Sequence, residues 1–323
     1  MNHLLDIQIK DAAPHIFQRP ILFVDSNTQM LQVATFLAVG PEIYVDGLLV
    51  IDDKVQRGKP IGRISSRRII SCILDCGYPD CMRKKASQMI DGLVMPLEMD
   101  SPLKRVLEAF KTTGFAFVPI VVKSDDMMER HSLRVAASFA IRDILPLIAK
   151  ANLGIPVKEF ASRLISLNGE TNVREALDYM LSKSIRNIGI KRELSYQVDS
   201  GTIGVDERDK DAKLYRVIND RNILEFLLSH NGREVLYRKG IIRLADIGFI
   251  DSLDTTSLTT INSNTSISGA AQLLMDVRNP FLIYESNENE GKENQYIIIP
   301  LDIVMKLLGS DDLAGKTSKF NQI

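Results

Sequence analysis

Ile61-Gly62-Arg63-Ile64-Ser65-Ser66-Arg67-Arg68-Ile69-Ile70 reads as a short strand that runs into a helix. The pattern returns three times along the chain. Ala136-Ala137-Ser138-Phe139-Ala140-Ile141-Arg142-Asp143-Ile144-Leu145 is the second copy and Tyr215-Arg216-Val217-Ile218-Asn219-Asp220-Arg221-Asn222-Ile223-Leu224 the third. Gln295-Tyr296-Ile297-Ile298-Ile299-Pro300-Leu301-Asp302-Ile303-Val304 is the fourth. The equivalent positions 68, 143, 222 and 302 lie 75, 79 and 80 residues apart (143 − 68, 222 − 143, 302 − 222). So regular a spacing marks four repeated units rather than two unrelated domains.

A second recurring stretch lies upstream of each copy. It begins at Asn27-Thr28, Asp100-Ser101, Glu170-Thr171 and Asn264-Thr265, and apolar residues follow at helical spacing. The pattern predicts a capped amphipathic helix, with the hydroxyl of Thr28, Ser101, Thr171 or Thr265 accepting an orphan backbone N–H. Pro102 suits the first helical position. Short strands are predicted within each unit. They are Glu42 to Val45 and Leu48 to Ile51 joined by an Asp46-Gly47 hairpin turn, Phe117 to Val122, Asn187 to Lys191, and Phe281 to Tyr284. The polar stretches Lys123 to His131, Asp199 to Lys213 and Ser286 to Asn294 read as solvated hairpin loops. The acidic run Asp206 to Asp211 lacks the alternating spacing and closing Glu of a Ca²⁺ loop.

Composition excludes several classes. Among 323 residues, 40 Lys plus Arg oppose 41 Asp plus Glu, so the chain is not a general polyanion binder. A local basic face built from Arg63, Arg67, Arg68, Arg83, Lys84 and Lys85 would require these side chains to cluster. No apolar run approaches the roughly 18 residues of a membrane span; Phe115 to Val122 is interrupted by Pro119. The N-terminus shows no basic region followed by an apolar stretch, and Cys72, Cys76 and Cys81 are an odd number of cysteines. A cytoplasmic setting without disulfides is therefore expected. No His or fourth Cys stands near those thiols, so no metal site is expected. His3, His15, His131 and His230 form no Ser/His/Asp order, and neither a Walker loop nor a dinucleotide fingerprint occurs. The absence of Trp, with aromatics at 6%, disfavours a base-stacking single-strand binder.

A unit of strand, helix, two strands and helix that ends Gly-apolar-apolar-Thr-x-x-Asp-apolar-apolar resembles the CBS domain. Gly62 to Ile70, Ala137 to Leu145, Arg216 to Leu224 and Tyr296 to Val304 carry the resemblance, which covers nearly the whole chain. It implies an α/β (α+β) fold of four β-α-β-β-α repeats, paired into two Bateman modules. The repeats are expected at 16–80, 81–150, 151–232 and 233–309, between an arm at 1–15 and a tail at 310–323. The modules would join at Ala149 to Pro156, where Gly154 and Pro156 break the helix.

The resemblance also implies a binding role. CBS clefts commonly hold adenosine nucleotides, with the closing Asp accepting from the ribose and the Ser/Thr three residues earlier contacting phosphate. A strand-to-helix turn presents free N–H groups that suit an anion. Every repeat here departs from the pattern. Ser65 is followed by Arg68, Asp143 is preceded by Ala140, Asn219 and Asn222 replace both polar positions, and Asp302 is preceded by Ile299. Asp143 and Asp302 are the candidate ribose acceptors. Ser65 and Asn219 stand at the phosphate-contacting position, Asn219 and Asn222 being weaker versions of the motif residues, and Arg68, Arg142 and Arg221 are candidates to reach phosphate. Each also has a plain structural reading. An acidic third residue stabilises a helix by roughly 0.3–1 kcal/mol with no ligand, and Ser65 and Asn219 are good caps. Pro146 is expected to kink the helix of the second unit. The resulting expectation is a cytoplasmic regulatory protein without enzymatic activity and without a required cofactor. It would bind AMP, ADP or ATP, form a homodimer and signal to a partner protein, with neither membrane nor nucleic acid as partner. The alternatives are a ligand-free assembly scaffold and a nucleic-acid-associated CBS protein.

Overall fold

The computed structural model describes residues 5–39, 47–52, 58–123, 133–192, 213–229, 232–233, 243, 258–286 and 294–309. The predicted strand Glu42 to Val45, the run Asp206 to Asp211, and most of the three polar stretches lie outside them.

One small sheet recurs in every repeat. In the first, Leu48–Asp52 is the middle strand, parallel to Phe23–Asp25 and antiparallel to Lys59–Ile64. Phe117–Lys123 holds that place in the second, between Leu97–Glu98 and Leu133–Ala140. Asn187–Arg192 holds it in the third, between Ser166–Asn168 and Lys213–Asn219. In the fourth, Leu282–Ser286 pairs antiparallel with Asn294–Ile298 and makes a parallel bridge to Thr260. The hairpin expected between Glu42 to Val45 and Leu48 to Ile51 falls partly outside the described residues; within them Leu48–Asp52 pairs with Phe23–Asp25 on one edge and with Lys59–Ile64 on the other.

The upstream helices run Met30–Val39, Leu103–Thr113, Val173–Lys183 and Ile267–Leu274. They start one residue later than the hydroxyl pattern predicts. The cap positions are Pro102, Asn172 and Ser266, not Ser101, Thr171 and Thr265. The cause is an isolated bridge to a distant segment at each of these places. Gln29 pairs with Lys85, Pro102 with Gln8, Asn172 with Arg243 and Ser266 with Pro156. A residue held extended in a bridge cannot be helical, so the helix begins after it. Asn172 and Ser266 accept backbone N–H groups from Arg174 and Gly269, whereas Pro102 caps by conformation alone. Helix Leu103–Thr113 buries Leu103, Val106, Leu107 and Phe110 on one face and stops at Gly114, whose φ of 65° favours glycine.

The bridges also show what lies between repeats. A lead-in segment before the first repeat crosses the second, with Leu103 N–H to Ile7 O at 2.9 Å and Ile9 N–H to Ser101 O at 3.0 Å. The segment before the second crosses the first in return, with Met30 N–H to Lys84 O at 2.9 Å and Ala86 N–H to Thr28 O at 2.8 Å. The segment before the third crosses the fourth, with Ile267 N–H to Ile155 O at 2.7 Å and Val157 N–H to Thr265 O at 2.9 Å.

The chain divides into two compact units, Met1–Arg163 with Thr259–Ile323, and Leu164–Leu258. The first has a continuous core that joins the helices of repeats two and four. Val106, Leu107, Phe110, Ile144 and Ile148 share it with Ile267, Ala271, Leu274, Ile303 and Leu307. Each fully buried side chain of this size contributes roughly 1.5–3 kcal/mol. Ser268 crosses this core, accepting Leu153 N–H and donating to Ile148 O, each at 2.7 Å. The second unit buries Val173, Ala176, Leu177 and Met180 along one face of its first helix.

Candidate nucleotide site at the strand-to-helix turns

Arg68, Asp143, Asn222 and Asp302 each occupy the third position of the helical segment after the last strand of their repeat. The first N–H groups of a helix have no partner inside it, and a third-position side chain can reach back to the cap residue's N–H. Three of the four do so. Asp143 Oδ2 accepts Ala140 N–H at 2.6 Å. Asn222 Oδ1 accepts Asn219 N–H at 3.2 Å, while Asn219 Oδ1 accepts Asn222 N–H at 2.9 Å. Asp302 accepts the backbone N–H of Ile299. In repeat two the segment opens as a 3-10 turn, Ile141–Ile144, before helix Leu145–Lys150. Pro146 therefore falls in the first helical turn, where its missing N–H costs nothing, and the expected kink is replaced by this junction.

Arg68 cannot accept, so repeat one recruits an acceptor from elsewhere. Asp91, in the lead-in of the second repeat, takes the Ser65 N–H at 3.2 Å and the Ser65 hydroxyl on Oδ2, and Arg63 Nε at 3.2 Å on Oδ1. Ser65 Oγ in turn accepts Arg68 N–H at 3.3 Å, the predicted cap. The Arg63 guanidinium lies over the Phe115 ring, 3.0 Å from its centroid. This pins Arg63, and it is not a free member of a basic face.

The same construction recurs with different chemistry. The lead-in of the first repeat delivers Arg19 and His15 to Asp143. Arg19 Nη1 donates to Oδ1 at 2.9 Å, Arg19 Nη2 to Oδ2 at 2.6 Å, and His15 Nε2 lies 3.0 Å from Oδ1. Arg19 Nη2 also donates to Ser138 O at 2.5 Å. Asp143 is 4% exposed, and its two oxygens have four partners. A carboxylate has about four acceptor sites, so this one is filled.

Asp302 differs. The lead-in of the third repeat pairs Ser162 with Ile297 and Arg163 with Tyr296, and Ser162 donates its hydroxyl to Asp302. Burial pushes the Asp302 carboxyl up from its ordinary value, more than Lys306, the Ile299 N–H and Ser162 pull it down. Among the described residues its hydrogen-bond partners are neutral, and acceptor capacity remains. Tyr296, which replaces the motif glycine, stacks on Tyr284 with ring centroids 4.9 Å apart.

The candidate phosphate ligands are distributed otherwise. Arg142 donates to Leu274 O, and to Asn279 O at 3.1 Å, so it caps the end of helix Ile267–Leu274 in repeat four. Arg221 is half-buried and acts electrostatically on Glu225. Arg68 is half-buried, and its Nε is buried without a hydrogen-bond partner. Away from the turns, Cys72 and Cys76 bring their Sγ atoms to 3.5 Å, and burial pushes the Cys81 thiol far up. Among the described residues no set of three or more His, Cys, Asp or Glu side chains could hold a metal ion, and no helix is long and apolar enough to cross a membrane.

Against this geometry, the comparisons with known proteins bear on the fold. No family model matches the chain, and no curated protein matches it. Solved structures do. The protein MJ1225 of Methanocaldococcus jannaschii, described as a proposed archaeal homologue of γ-AMPK, superposes with a TM-score of 0.68 at 13% identity. The match covers 93% of this chain and 100% of that one. A CBS-domain protein of Thermotoga maritima matches 45% of this chain and 96% of its own, at 18% identity and a TM-score of 0.35. CBSX2, solved in complex with AMP, matches 48% of this chain and 98% of its own, at 16% identity and a TM-score of 0.33. The chain has the mixed α/β fold of tandem-repeat CBS proteins.

Arg19, His15, Asp91 and Ser162 were not singled out by the repeat motifs. They lie in the lead-ins, where helical and strand periodicity are absent. One clue is positional: Asp91 and Ser162 each stand six residues after the bridge residue of their lead-in (91 − 85, 162 − 156).

Proposed function

We propose that this chain is a cytoplasmic regulatory protein that senses AMP, ADP or ATP at its strand-to-helix turns. The conformational state is passed to a partner protein, the CBS repeats pair as Bateman modules in a homodimer, and the chain performs no turnover itself. The observation that carries the reading is Asp302. It stands at the third position of a ten-residue helix, half-buried, held by neutral donors and with room to accept from ribose. Charge-assisted hydrogen bonds are roughly twice as strong as neutral ones. Losing one costs roughly 1.5–3 kcal/mol, or one to two decades of affinity. Titration calorimetry with AMP, ADP and ATP tests this. Asp302→Asn is expected to weaken binding by about 10-fold to 100-fold. Unchanged affinity would remove the carboxylate from the site.

A second reading, the ligand-free scaffold, draws on the reciprocal Asn219–Asn222 cap and the filled Asp143 carboxylate. Those two turns satisfy themselves without a ligand. A thermal-shift panel in which no nucleotide moves the melting temperature would favour it.

A further inference from the structure

We infer that the N-terminal lead-in is a built-in competitor for the repeat-two site, with Arg19 as the group that any ribose must displace from Asp143. This rests on the nucleotide-sensing reading. Ribose hydroxyls can bind a carboxylate only through free acceptor positions, and Asp143 has none while Arg19 and His15 are seated.

The arrangement suits a latch. Residues 14–20 run between two fixed points. On one side, Ile9 and Lys10 donate backbone N–H groups to Ser101 O and Met99 O at 3.0 and 3.1 Å. On the other, Phe23–Asp25 lies in the sheet of repeat one. Ile16 is fully buried and fixes the turn Pro14–Phe17. The backbone is therefore anchored, while the Arg19 side chain is 31% exposed and reaches Asp143 from the rim. A long side chain can swing out without the lead-in detaching. The lead-in that crosses repeat four presents the neutral Ser162 to Asp302. The two carboxylates thus differ in what occupies them: a cation at Asp143, a hydroxyl at Asp302. It follows that the repeat-four site fills first, and the repeat-two site fills when the ligand's free energy exceeds that of the Arg19 pair.

Titration calorimetry with AMP and with adenosine, on the parent and on Arg19→Gln, tests the competition. Removing a bidentate charged competitor is expected to tighten one class of site at least about 10-fold for both ligands. A second measurement needs no variant. With arginine-selective ¹⁵N labelling, the Arg19 Nε–H resonance, identified by its loss in Arg19→Gln, should shift when AMP saturates the parent. Unchanged affinity in Arg19→Gln with an unshifted resonance overturns the latch while leaving the Asp302 reading intact. Weaker AMP binding with unchanged adenosine binding also overturns it, because Arg19 would then be a phosphate ligand. If neither the parent nor Arg19→Gln binds any adenine nucleotide, the sensing reading falls and the latch falls with it.

Discussion

Asp91→Ala should be among the most damaging single substitutions in the first repeat, although Asp91 belongs to no motif. Its carboxylate takes the Ser65 N–H, the Ser65 hydroxyl and Arg63 Nε together. Ser65 is buried, and Arg63 and Asp91 are only 12% and 14% exposed. Truncation leaves a buried N–H and hydroxyl without an acceptor, at roughly 1–3 kcal/mol. It also strips a guanidinium of its counter-charge, and removing one partner of a fully buried pair costs roughly 3–5 kcal/mol. The pair is not fully buried, and Arg63 keeps its contact with Phe115, so the lower part of the combined range applies. About 2–4 kcal/mol is expected for Asp91→Ala, and less for Asp91→Asn, which keeps one acceptor oxygen. Urea unfolding of the parent, Ser65→Ala, Asp91→Ala and the double variant measures this. The Ser65–Asp91 coupling should be about 1–2 kcal/mol. A loss below about 0.5 kcal/mol for Asp91→Ala, or additive single effects, would refute the claim that Asp91 substitutes for the missing third-position acceptor.

Further outcomes follow from other parts of the fold. Gly62→Ala should cost roughly 1–3 kcal/mol in urea unfolding, because its Cβ would run into the Ile90 side chain and lie 3.1 Å from Gly92 O. Ser268→Ala should cost roughly 1–3 kcal/mol, since the Leu153 N–H and Ile148 O would lose their shared buried partner. Asp302 has a raised folded pKa, so its contribution to stability is complete below the ordinary carboxylate range and is lost as pH rises through the folded value. Asp302→Asn removes that dependence and should gain stability relative to the parent as pH rises from about 4 to 7, as read by thermal unfolding. Iodoacetamide should label Cys76 before Cys81, whose burial raises its thiol pKa and blocks access; equal native-state rates would contradict this.

The fold was legible because it is written four times. A strand-to-helix junction is a local event: an extended apolar run, a cap and a helical stripe. Each of the four copies sets Arg68, Asp143, Asn222 or Asp302 at the same helical position. The errors arose where a local signal competed with a distant partner. Thr171 and Thr265 read as caps, but Asn172 and Ser266 are pulled into bridges with Arg243 and Pro156, and the helix start moves with them.

The site was legible only on its helix side, and the reason is chemical. What a carboxylate at the third helical position does depends on what the lead-in brings to it. Where that position is a cation, Arg68, the lead-in brings a carboxylate, Asp91, to the turn. Where it is a buried carboxylate, Asp143, the lead-in brings a guanidinium and an imidazole. Where it is Asp302, the lead-in brings a hydroxyl and the carboxyl is left with a raised pKa. The groups on the turn and on the lead-in therefore vary together: Asp143 is ion-paired with the lead-in's Arg19, whereas Asp302 meets a lead-in hydroxyl and the through-space pull of Lys306. A bound ligand that offers two hydroxyls and a phosphate does not relieve a turn already neutralised by its own chain. It relieves one whose carboxylate is desolvated and short of donors. That asymmetry, and not the match to a motif, ranks Asp302 ahead of Asp143.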